Sequence, residues 1–210
     1  MKKSEIDYTL YLCTDRDLMS TNTLEEAVEQ AILGGCSLVQ LREKHSSSRE
    51  FFEMAKRIKW ITDQYHVPLI INDRIDIAMA VNAAGVHLGQ EDIPAKEARR
   101  IMGQDKIIGV SARTVELACK AVEDGADYLG VGAMFATNTK GNAKVIGKEK
   151  LKEIRAAVSI PIVAIGGINH NNAEQLVDTG INGLAVVSSV IGAPDIQAAA
   201  RKMRAIFIKK

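Results

Sequence analysis

The stretch IIGVSARTVELACKAVEDGADYLGV, residues 107–131, decides the fold. It opens with an apolar, partly β-branched run at 107–110, the pattern of a strand buried on both faces. Residues 115–123 then place charges on one face and Ala, Leu and Val on the other, a helical period. Gly125-Ala126 falls where that helix must stop, and a second apolar run follows at 128–131. This is one strand–helix–strand unit, and it repeats in both directions. Further strand-like runs stand at 9–13, 38–41, 69–71, 86–88, 162–165 and 183–187. Amphipathic segments lie between them, among them 23–33, 48–65 and 173–178.

Local signals agree with the alternation. Thr23-x-x-Glu26 and Ser47-x-x-Glu50 read as capping boxes. Gly34-Gly35 and Gly180-Ile181 stand at helix ends, and Pro68 and Pro161 just ahead of strands. Eight units in 210 residues average about 26 residues each, which predicts an α/β chain closed as a single compact (β/α)8 TIM barrel over residues 1–210. An open doubly wound sheet is disfavoured, because no G-x-G-x-x-G follows the first strand.

Composition narrows the function. Lys and Arg number 27 against 26 Asp and Glu, so the net charge of +1 argues against binding nucleic acid by counterion release. Four Phe, four Tyr and one Trp are too few for a base-stacking platform. Cys13, Cys36 and Cys119 are scattered, forming neither a disulfide framework nor a zinc motif. Glu5 and Asp7 interrupt the basic start, and no run reaches the ~20 apolar residues of a membrane span. The expectation is a cytoplasmic protein with no membrane partner. A homo-oligomer is left open.

In a barrel, chemistry gathers at the C-terminal ends of the strands. After the second strand, QLREK (40–44) alternates so that Gln40, Arg42 and Lys44 share one side, three donors suited to a polyanion. An ion pair between Arg42 and Glu43 on the surface is the plainer alternative. After the third strand, Asn72 or Asp73 can cap the next helix. Alternatively, Asp73 converges with Asp92, beyond the fourth strand, on one hard cation; Mg²⁺ is commonly held by one or two carboxylates plus phosphate oxygens. No lysine is expected near that pair to replace the metal. His87 reads as a wall residue rather than a ligand.

The long polar segment 132–147 is a candidate lid, with Thr137, Thr139 and Lys140 suggesting anion contact. Gly166-Gly167 after the seventh strand and Ser188 after the eighth fit the phosphate site that many barrels place there. No Ser-His-Asp constellation, nucleophilic cysteine or H-E-x-x-H is evident. The mouth suits charge neutralisation better than covalent catalysis.

The ordered set QLREK (40–44), NDRIDIA (72–78), VHLGQED (86–92), 109–111, 127–140, IGGI (165–168) and AVVS (185–188) resembles the thiamine-phosphate synthase family. The resemblance implies transfer of a hydroxymethylpyrimidine from its diphosphate to thiazole phosphate, with Mg²⁺, through a dissociative substitution. Gln40, Arg42, Lys44 and Asn72 would then hold the pyrimidine diphosphate, and Asp73 and Asp92 the metal. Ser111 and Lys140 would meet the departing pyrophosphate. Of these, Arg42, Lys44, Ser111 and Lys140 would be catalytic. Thr137, Thr139, Gly167, Val187 and Ser188 would hold the thiazole phosphate. The family commonly has prolines where Ala133 and Ala136 stand, so the lid is expected to be less preorganised. A sister group of thiazole tautomerases resembles the chain overall, but its acid–base His aligns with Arg113, which cannot shuttle protons. A non-catalytic phosphate-binding paralogue is the third reading.

Overall fold

Each expected apolar run forms a strand in the computed structural model, which describes residues 3–137 and 144–208. The strands are β1 (Leu10–Cys13), β2 (Leu38–Leu41), β3 (Leu69–Asn72), β4 (Gly85–Leu88), β5 (Ile107–Ser111), β6 (Tyr128–Val131), β7 (Ile162–Ile165) and β8 (Gly183–Val186). All pairs are parallel, in chain order, and β8 returns to β1 with Leu10 opposite Leu184, so the barrel is closed. Closure removes every sheet edge. The intervening helices are α1 (Leu24–Leu33), α2 (Ser48–Gln64), α3 (Ile75–Ala80), α4 (Ala95–Met102), α5 (Val115–Glu123) and α6 (Gly147–Ala157), with α7 (Ser188–Ile191) and α8 (Ile196–Ile208) after β8. Between β7 and β8 the expected helix at 173–178 is instead a 3₁₀ helix, Ala173–Thr179, ended by Gly180 at φ +77°.

Alternation along the strands divides the core in two. Leu12, Val39, Leu41, Ile71, Val86 and Leu129 face outward and pack with helix residues such as Phe51, Ile58 and Met203. Each such fully buried side chain contributes about 1.5–3 kcal/mol from apolar transfer. Tyr11, Leu38, Ile70, Tyr128, Val163 and Ala185 form a separate inner cluster. Tyr11 on β1 and Tyr128 on β6 meet across the interior, with their hydroxyls 2.8 Å apart. The barrel is therefore filled by side chains rather than open as a pore. The space for Tyr128 exists because its neighbour is Gly109, where a Cβ would stand 2.1 Å from the Tyr128 ring.

The caps behave as their sequences suggest, with one exception. Ser47 and Glu50 close both halves of a capping box on α2, and Thr23 accepts from the Glu26 N–H on α1. Neither Asn72 nor Asp73 caps α3; its N-cap is Arg74, with no side-chain bond.

At the N-terminal end of the barrel, the Asp127 carboxylate accepts from Arg99, from Lys3 at 3.0 Å and from the Ile108 N–H at 2.8 Å. Arg99 also donates to the carbonyls of Gly103, Lys106 and Gly125. These charges tie the end of α4 and the entries to β5 and β6 into one block. Among the described residues no helix is long and apolar enough to cross a membrane.

Candidate active site

The opposite, C-terminal end opens into a cavity of about 710 Å³. Gln40, Arg42, Lys44, Asn72, Asp73, Asp92, Ser111, Thr137, Gly167, Val187 and Ser188 all line it. Seven strand ends, β2 to β8, thus bring residues scattered between 40 and 188 to one space. Thr139 and Lys140 lie outside the described residues.

Alternation places the β2 donors as expected. Glu43 points away from the mouth, where it pairs with Arg16 at 2.7 Å and accepts from Ser46. The Arg42–Glu43 surface pair therefore does not form. Arg42 instead faces Asp15 at 3.6 Å, and its N–H donates to Thr14 Oγ1 at 3.0 Å. Lys44 reaches across to β3 and donates to the Asp73 carboxylate. This corrects the expectation that no lysine stands near the acidic pair. The correction follows from topology: β2 and β3 are adjacent, so a long side chain three residues beyond β2 spans to the residue just past β3.

Asp73 is held in an uncommon conformation. Its φ is +63°, and the Arg74 N–H closes a three-residue turn onto the Asn72 carbonyl at 2.7 Å. The Asp73 N–H in turn donates to the His87 carbonyl at 2.9 Å. A left-handed Asp is tolerable but costs local energy, and such positions concentrate at functional sites. Here the turn aims the carboxylate at the next strand end, where Asp92 accepts from the Gly89 N–H at 2.7 Å.

The two carboxyls act on each other, and their pKa values move in opposite directions. Burial works to raise both. At Asp73 this is outweighed by Lys44 and by the bond from Asp92, so that carboxyl lies below its usual range. Asp92 stays above the usual range, because burial and the charge on Asp73 outweigh the Gly89 N–H. Nearby on β5, the Ser111 hydroxyl lies 2.9 Å from His87 Nε2, and its carbonyl accepts from Gln90.

The far side of the mouth is bare backbone. Gly166 and Gly167 have φ of +95° and +70°. Residues 134 and 135 extend along them, with the Met134 and Phe135 N–H groups donating to the Ile165 and Gly166 carbonyls, each at 3.0 Å. A Cβ on Gly167 would stand 2.6 Å from the Ala136 carbonyl oxygen and 2.7 Å from that of Phe135. Its bareness therefore serves the docking of the 132–137 segment as well as any ligand. Val187 leads into α7, where Ser188 is exposed at the cavity rim.

The family model for thiamine monophosphate synthase matches residues 10–190. The chain belongs to that family. It is 62% identical over 208 residues to the thiamine-phosphate synthase of Ruminiclostridium cellulolyticum, covering 99% of both chains. It is 57% identical to that of Clostridium tetani over 207 residues, again with 99% of each covered. The solved thiamine phosphate pyrophosphorylase from Pyrococcus furiosus superposes with a TM-score of 0.90 at 41% identity, covering 97% of each chain.

Set against this thiamine monophosphate synthase barrel, sequence reasoning under-read the inner wall. Tyr11, Tyr128 and His87 are joined by hydrogen bonds beneath the mouth, and the sequence reading assigned none of the tyrosines there. Tyr11 lies two residues before Cys13 on β1 and shares its inward parity, the one signal available. Thr14, Lys144 and Arg113 also line the cavity, as polar residues just past strands or at the edge of the 138–143 segment.

Proposed function

We propose that the mouth joins hydroxymethylpyrimidine diphosphate to thiazole phosphate, giving thiamine phosphate and pyrophosphate. Supporting this, and carrying it, is the convergence of Arg42, Lys44, Asp73 and Asp92 on one cavity in a thiamine-phosphate synthase fold. The bond between the pyrimidine methylene carbon and the diphosphate oxygen breaks, and pyrophosphate leaves with the electron pair. The thiazole nitrogen then forms the new carbon–nitrogen bond with its lone pair. No protein nucleophile is required; the protein must align two fragments and neutralise a growing charge.

Arg42 supplies a planar donor fork and Lys44 a mobile point charge for the diphosphate. Asn72 and Gln40, buried at the cavity floor, present amides to the pyrimidine. Ser111 faces the departing pyrophosphate, and the family resemblance gives Lys140 the same role. Thr137, Gly167, Val187 and Ser188 receive the thiazole phosphate on the far side, with Thr139 added by the resemblance.

Asp73 and Asp92 offer hard oxygen donors from adjacent strands, and among the described residues no group of three Asp, Glu, His or Cys forms a larger metal cluster. That donor set fits Mg²⁺, which takes its remaining ligands from water and substrate phosphates. When bound there, Mg²⁺ supplies charge neutralisation at the leaving diphosphate. For Asp73 to hold a metal, Lys44 would release its carboxylate and turn to the diphosphate.

The test is incubation of purified protein with both substrates and Mg²⁺, resolving products by chromatography. Equal amounts of thiamine phosphate and pyrophosphate are expected. No product under conditions where the Clostridium tetani relative is active would overturn the assignment.

A further inference from the structure

A chain of hydrogen bonds crosses the barrel interior beneath the mouth, from β2 to β5. Gln40 Nε2 donates to the Tyr11 hydroxyl at 2.7 Å, and that hydroxyl lies 2.8 Å from the hydroxyl of Tyr128. Tyr128 is 2.9 Å from His87 Nδ1, and His87 Nε2 is 2.9 Å from Ser111 Oγ. Tyr11 and Tyr128 are fully buried, while Gln40 and His87 are nearly so. The chain ends at the Ser111 hydroxyl, which lines the cavity.

Giving every proton an acceptor within the chain sets one direction for each bond. A phenol carries one proton and a neutral imidazole carries one. With Gln40 donating to Tyr11, the acceptor left in the chain for the Tyr11 proton is the Tyr128 hydroxyl. The Tyr128 proton then goes to His87 Nδ1, which must be the bare nitrogen. The ring proton therefore sits on Nε2 and is donated to Ser111 Oγ. Burial, first of all, pushes both phenols well above their ordinary pKa, so neither loses the proton the count requires. A second proton on the ring would aim Nδ1–H at Tyr128, leaving the Tyr128 proton without an acceptor in the chain.

We infer that Gln40, Tyr11, Tyr128 and His87 form a polarity relay that fixes the Nε2–H tautomer of His87 and makes Ser111 an obligate donor into the mouth. This rests on the reading of Ser111 as a contact of the departing pyrophosphate. With the opposite polarity, Ser111 would use its proton on His87 and present only lone pairs to an anion. Donors set in advance toward developing charge are the form of stabilisation such a substitution needs. Tyr11, Tyr128 and His87 are positioning residues that act through Ser111, while Gln40 also faces the pyrimidine.

The barrel makes room for the relay with glycines on neighbouring strands. A Cβ at Gly109 would overlap Tyr128, and one at Gly130 would stand 2.9 Å from His87 Cε1. Tyr8 and Tyr11 pack their rings on Tyr128 at 5.2 and 5.9 Å, which fixes its hydroxyl laterally.

The direct test is long-range ¹H–¹⁵N spectroscopy of the unliganded protein, with His87 assigned by the signals lost in His87→Gln. A pyrrole-type Nε2 and a pyridine-type Nδ1 are expected; the reverse pattern would overturn the relay. Tyr128→Phe should mix the two tautomers and lower kcat roughly 10–100-fold, the scale of losing an outer-shell partner, while leaving KM for thiazole phosphate nearly unchanged. In a Ser111→Ala background the same substitution should cost little more, since both act through one hydroxyl. Full repetition of the loss in that background would mark Tyr128 as merely structural and refute the proposal. If Tyr128→Phe does not fold by circular dichroism, Tyr11→Phe breaks the same chain one link earlier and is judged by the same readouts. An inactive wild type would refute the functional reading of Ser111, whereas the tautomer pattern judges the relay by itself.

Discussion

The two ends of the barrel are both rich in charge, yet they use it differently. At the N-terminal end, Asp127 accepts from Arg99, Lys3 and a backbone N–H, and Arg99 satisfies three carbonyls besides. Little capacity is left over for a ligand. At the C-terminal end, Asp73 sits in a left-handed turn beside the Asp92 carboxyl, and the ion pair of Arg42 among the described residues is the 3.6 Å approach to Asp15. One end closes its hydrogen bonds among its own residues; the other holds strained and incompletely matched groups around a cavity. The difference separates stability from chemistry on one scaffold, as expected of barrels.

If that division is right, substitutions at the two ends should dissociate. Asp73→Ala should lower kcat by roughly 10²–10³, the scale of one lost transition-state contact, with the urea midpoint nearly unchanged. Asp127→Ala should do the converse. It leaves Arg99, with its side chain 11% exposed, facing carbonyls and no carboxylate, so unfolding free energy should drop by about 3 kcal/mol while kcat at moderate temperature holds. Parallel urea titrations and steady-state assays of both variants check the pair. A large stability loss for Asp73→Ala with intact kcat would break the comparison.

Within the mouth, a smaller effect separates its two sides. Arg42→Ala should raise KM for the pyrimidine diphosphate and slow the chemical step by roughly tenfold, leaving thiazole phosphate binding intact. Calorimetry with each substrate alone reads this directly.

The smallest effect sharpens the structural end. The Asp7 carboxylate accepts from the Thr9 N–H at 2.9 Å and from Arg204 at 3.0 Å, fastening the start of β1 to α8. Burial works to raise its pKa, but the bonds from Thr9 and Arg204 outweigh it and hold the group below the ordinary range. Its contribution is therefore present at neutral pH and lost as pH falls below about 4 through the depressed value. With the carboxylate 45% exposed, it amounts to a fraction of a kcal/mol. Comparing Asp7→Asn with the parent by thermal melts at pH 7 and pH 3 should show a gap only at pH 7.

How much of this was legible in the sequence depended on the range of the interaction. The eight strands were readable because each is a short apolar run whose burial on both faces leaves a local trace. Their ends shifted by a single residue; Gly85, Asn72 and Ser111 joined strands, and Thr9 and Val187 left them. The mouth residues were readable because parity along a strand fixes the side each one faces. The contacts among them were not. Lys44 meets Asp73 only because β2 and β3 are neighbours, and Tyr11 meets Tyr128 across the barrel from 117 positions away. Gly167 looked like bare backbone for a phosphate, and only the structure shows residues 135 and 136 packed against it.

The most direct test of the claim that the mouth assembles metal and diphosphate is calorimetry of pyrimidine diphosphate binding, with and without Mg²⁺. Parent, Asp73→Ala and Asp127→Ala are compared below the melting temperature of each. Mg²⁺ should tighten binding in the parent and in Asp127→Ala but not in Asp73→Ala. Equal tightening in Asp73→Ala would contradict the claim.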